Sequence, residues 1–127
     1  MNIKKSIVVS LFSMLLVSEM AAADWGDVYY CQMTNFDGIT LEGEKKSYKL
    51  EKFQFKLDQT RNAMVFGSTG YFEDTVVELV TGTSFPNIER WIANDVYSTA
   101  YFEEGKFLST KNYLLSALVI SADCDKF

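Results

Sequence analysis

Six carboxylates stand in pairs that could share acid–base work: Glu42 with Glu44, Glu103 with Glu104, and Asp123 with Asp125. Two carboxyl groups about 5–10 Å apart across a cleft can hydrolyse a glycosidic bond. Each of these pairs falls in a polar turn or at the end of the chain. Charge is ordinarily solvated there, whereas such acids need surroundings that shift their proton affinity. The chain has no histidine, which removes Ser-His-Asp and Cys-His catalysis and the commonest metal ligand. Asp37, Asn94 and Asp95 lack the spacing that wraps calcium, and there is no Gly-rich phosphate loop. These residues assign no catalytic group, no metal site and no cofactor. A carboxylate-dependent hydrolase remains the enzymatic alternative.

The two cysteines offer a different chemistry. Cys31 and Cys124 are the only thiols, they form no C-x-x-C redox motif, and two lone sulfurs without histidine make a poor metal site. An even count in an oxidising compartment points to one structural disulfide. The N-terminus indicates such a compartment. Lys4 and Lys5 precede an apolar run from Ile7 to Val17, and Ala21-Ala22-Ala23 supply small residues for cleavage. That run fits a secretory signal better than a membrane span, which needs about 20 apolar residues. We expect residues 1–23 to be a cleaved signal and 24–127 to be a single domain, periplasmic or secreted.

Losing Lys4, Lys5 and Glu19 takes the net charge of −5 one unit further negative. An acidic surface of this kind gives no footprint for nucleic acid. No membrane-spanning segment is expected after cleavage.

Short apolar runs separated by turn signals every 8–12 residues describe an all-β chain. Tyr29, Cys31 and Met33 share one strand face. Asp37-Gly38 reads as a hairpin turn. Within 47–57, Tyr48 and Leu50 are out of phase with Phe53, Phe55 and Leu57, which implies a β-bulge or a separate short strand. Residues 75–81, 88–93 and 96–102 read as strands, "FLST" (107–110) as a short one, and 113–124 as the last and longest. About eight strands joined by short turns suit a small antiparallel β-barrel or a β-sandwich, closed by a terminal disulfide.

Tyr97, Thr99 and Tyr101 share one face of the strand 96–102. With Trp91 they are the candidate anchors for a ligand or partner, because such rings carry an apolar body and a polar tip. The segment "TGTSFPN" (81–87), stiffened by Pro86, is the candidate loop for an inhibitor.

"YYC" (29–31) and "ADCDKF" (122–127) resemble the Tyr-x-Cys start and Cys-x-Lys-Phe finish of small exported proteins of Gram-negative bacteria, most of them functionally uncharacterised. Comparison with the periplasmic C-type lysozyme inhibitors is also apt. Those are small antiparallel barrels with a cysteine near each end. Their Ser-Ala-Ser-Gly type loop is missing here, and the nearest text is "YSTAYF" (97–102). The sequence thus leads to an exported, non-enzymatic binding module for a small apolar ligand or an envelope protein. The alternative is an inhibitor of an envelope-degrading hydrolase such as lysozyme.

Overall fold

The computed structural model describes residues 23–80 and 90–127. The signal expected at 1–23 lies almost wholly outside the described residues, and so does the segment 81–87. The described chain forms nine strands and no helix: β1 (Val28–Thr40), β2 (Lys45–Ser47), β3 (Lys52–Asp58), β4 (Ala63–Phe66), β5 (Val76–Glu78), β6 (Trp91–Asn94), β7 (Ser98–Glu103), β8 (Lys106–Tyr113) and β9 (Ser116–Lys126). All neighbours are antiparallel, in the order β5-β4-β3-β1-β9-β8-β7-β6, with β2 added to β1. The two ends of this order meet where Leu79 bridges Ala93 and the Val80 N–H donates to the Ile92 carbonyl. The result is a nearly closed eight-stranded barrel, which decides between barrel and sandwich.

Alternation fills its interior. Phe53, Phe55 and Leu57 of β3 point inward, as do Tyr29, Cys31 and Met33 of β1. Rings meet across the barrel: Phe55 lies 5.0 Å from Phe102 and Phe53 lies 4.8 Å from Phe107. Cys31 and Cys124 stand directly opposite on β1 and β9, buried, with an S–S distance of 2.08 Å and Cα atoms 4.0 Å apart. The expected disulfide is therefore formed, and it joins the first strand to the last.

Four sequence expectations change. Asp37-Gly38 is not a turn; it lies inside β1, paired with β2 on one side and β9 on the other. Pairing on two edges outweighs the local turn preference, and Gly38 leaves room for Leu118 and Tyr48. A Cβ there would lie 2.9 Å from Leu118 Cδ2. The bulge falls in β1 rather than in 47–57: Thr34 and Asn35 both oppose Ser121. The phase change after Leu50 is instead a break between β2 and β3. The run 113–124 is split by a turn at Leu114–Leu115, so "FLST" belongs to an eight-residue strand and β1, with 13 residues, is the longest. Strand β7 begins at Ser98, because the Asp95 carboxylate accepts from the Tyr97 and Ser98 N–H groups, each at 2.8 Å, and bends the chain.

The bulge also changes what β1 pairs with. Up to Gln32 its second neighbour is β3; from Asp37 it is β2. The far halves of β1 and β9, with β2 and the end of β8, thus extend past the packed rings as a ribbon. At the opposite end Trp25 meets Trp91 edge-on at 4.9 Å.

Candidate functional site

Outward-pointing residues of the barrel wall form rows across the strands. One row runs from Tyr101 on β7 through Leu108 on β8 to Ser121 on β9. The next runs from Glu103 through Lys106 to Asp123. Together with Thr34 and Arg90 they line an open groove of about 810 Å³.

Three kinds of side chain build it. The Tyr101 ring and Leu108 give an apolar floor, both well exposed. The β1 bulge brings Thr34 and Asn35 to the same hydroxyl: Thr34 and Ser121 share a hydrogen bond of 2.8 Å, and the Asn35 amide donates to Ser121 Oγ at 2.8 Å. Ion pairs form the charged end, Arg90 to Glu103 at 3.2 Å and Lys106 to Asp123 at 2.6 Å. Comparison with protein-family models, with curated proteins and with solved structures finds no match.

The groove collects carboxylates from two of the three sequence pairs, since Glu103, Glu104 and Asp123 all line it. Glu103 and Asp123 are each held by a cation and reach solvent. A general acid instead needs a dry, apolar setting that keeps its proton. Glu42 and Glu44 stand at the far end of the barrel, on the turn between β1 and β2. Asp37 accepts a hydrogen bond from Ser47. One oxygen of Asp95 takes three donors, the Tyr97 and Ser98 N–H groups and the Ser98 hydroxyl. Partial burial pushes the Asp95 pKa up, but those donors and the nearby Lys111 outweigh it and lower it. The carboxylate is thus spent on shaping the turn that carries Tyr97.

The candidate anchors do not share a surface. Tyr101 lies in the groove. Tyr97 is exposed at the ribbon end, where its carbonyl accepts from the Asn112 N–H. Trp91 is on the inner side of the wall, in register with the buried Phe102 and packed on Trp25. Sequence reading missed Leu108, Arg90, Thr34, Asn35 and Ser121. One signal was available for Leu108: with Phe107 pointing inward, strand parity sends its apolar neighbour outward. Nothing local marks Thr34, Asn35 and Ser121, which meet only through a bulge pairing residues 86 or more positions apart.

Proposed function

We propose that this protein is an exported, non-enzymatic binding module whose partner, an envelope protein, docks on the outer wall across β7, β8 and β9. The observation that carries this reading is the groove. It offers an exposed tyrosine and an arginine, two of the residue types in which protein interfaces concentrate their energy, beside an exposed leucine and a preset hydroxyl–amide cluster. The interior argues for the outer wall as the binding surface. Phe55, Phe102, Phe107, Met33, Leu57 and Met64 fill the barrel, so a small apolar ligand would have to displace packed rings. The buried disulfide supports an oxidising compartment.

Photo-crosslinking tests the reading. A benzophenone side chain replacing Tyr101 should yield one discrete protein adduct in cells that export the chain. The same probe replacing Arg61, on the β3–β4 turn, should not. Equal labelling from both positions, or none from position 101, would refute docking at the groove.

A further inference from the structure

The end of the ribbon is apolar where a turn is ordinarily polar. Strands β8 and β9 are joined by two residues, Leu114 and Leu115, which are 87% and 67% exposed. Leu114 has φ +53°, a left-handed backbone. Two-residue hairpins favour glycine, asparagine or aspartate at such positions. The neighbouring β7–β8 hairpin, Glu104-Gly105, has positive φ at both turn residues and meets that preference at Gly105 alone. A leucine in this conformation is strained, and strain of this kind is retained where it serves a function. Beside it, the Leu41 N–H donates to the Leu115 carbonyl, and Leu41 is 75% exposed. Three leucines thus crown one tip.

Behind the tip the side chains are layered by register. Tyr113 stands one residue back, and Tyr97 is level with Asn112. Lys45 is paired with Ile39, two residues behind the tip; Lys46 and Lys111 are one residue further back. At about 3.4 Å per residue, the lysines lie roughly 7–10 Å behind the leucines. The Lys111 ammonium rests over the Tyr113 ring at 5.4 Å. Leucine, then tyrosine, then lysine is the order of a segment entering a bilayer interface. Apolar groups reach about 5–10 Å deep, rings sit among headgroups and ammonium groups meet phosphates. A convex tip of this kind also cannot present the ~800 Å² per partner that a stable protein dimer needs. Charge favours the same orientation. Around this end Lys45, Lys46, Lys49 and Lys111 match in number Asp37, Asp95 and the two acids of the turn beside Leu41, Glu42 and Glu44, so the excess negative charge of the domain lies on the rest of the barrel.

We propose that the Leu41–Leu114–Leu115 tip is a reversible docking site for a phospholipid bilayer surface. It is distinct from the groove, which stays clear of the lipid on the barrel wall.

The test uses isotope-labelled protein recovered after export, with the expected signal removed, and vesicles of phosphatidylethanolamine and phosphatidylglycerol carrying a spin-labelled lipid. Resonances of 39–41, 96–97 and 112–116 should broaden selectively. Leu114→Ser with Leu115→Ser should weaken vesicle binding by roughly tenfold or more, since most of two leucine side chains would no longer leave water. Leu114→Gly, which accepts the positive φ without strain, should fold at least as stably and still bind less. Residue 24 joins the barrel at the opposite end, beside Trp25 and Trp91. Broadening centred on Trp25 and Phe127 would therefore mean lipid contact from that end and would overturn the proposal. Undiminished binding by the serine variant would also overturn it. So would tip broadening that follows protein concentration without lipid, which would assign the tip to a second copy of the chain.

Discussion

Replacing Cys31 and Cys124 together by alanine should cost nearly as much stability as a small domain can lose. The bridge spans 93 residues, and in the chain-entropy account a closed loop of that length restricts the unfolded ensemble by about 4–5 kcal/mol. A domain of this size holds about 5–15 kcal/mol in total. The folded side should change little. β1 and β9 remain paired from Tyr29 to Thr40 on both sides of the bulge, and two alanines leave only a small gap between them. With a urea m-value of about 1–2 kcal/mol/M, the midpoint should fall by about 2–5 M. Fluorescence of Trp25 and Trp91, which touch edge to face, provides the readout. Because the effect resides in the unfolded chain, refolding should slow more than unfolding accelerates. A midpoint shift below about 1 M at unchanged m would refute the entropic argument. It would mean that the unfolded chain already keeps its ends together.

Two further outcomes follow from the core and from its upper rim. Phe107→Ala removes a ring that touches Phe53, Phe55, Phe66 and Phe72 and should cost about 3–5 kcal/mol in denaturant titration, whereas Leu108→Ala on the outer wall should cost under about 1 kcal/mol. Burial first, then Glu51 and Tyr48, raise the Tyr71 pKa above its ordinary 10.0. The unfolded chain therefore releases that proton first, so stability held below pH 10 should fall as pH rises through the folded value, and Tyr71→Phe should remove that part of the alkaline loss.

The sequence made the barrel legible through period-two alternation: Phe53-Phe55-Leu57 and Tyr29-Cys31-Met33 declare an inner face before any partner is known. The disulfide was legible for a similar reason, since two sulfurs leave one pairing within the chain. Turn chemistry was a weaker guide. Asp37-Gly38 carries the strongest hairpin signal yet lies in a strand, because β2 and β9 satisfy its backbone from both sides. Tyr-Leu-Leu-Ser carries no such signal yet makes the β8–β9 turn, whose position is set by the eight-pair register beyond it. The groove was half legible. Tyr101 followed from parity, but its neighbours arrive from three other strands and a bulge. Trp91 shows the limit of composition: an aromatic residue next to candidate anchors turned out to face the opposite side of the wall.

The covalent link between first and last strands also has a mechanical consequence. Tension applied through the segments before Cys31 and after Cys124 enters at Cys31, crosses the sulfur–sulfur bond and leaves at Cys124. The 92 residues between them carry no load. Hydrogen-bonded ladders in such a chain are bypassed rather than sheared, so the barrel under traction is an inextensible knot on a short line. In single-molecule stretching the oxidised protein should lengthen by little more than its few terminal residues, and only reduction should release the stored contour of the whole domain.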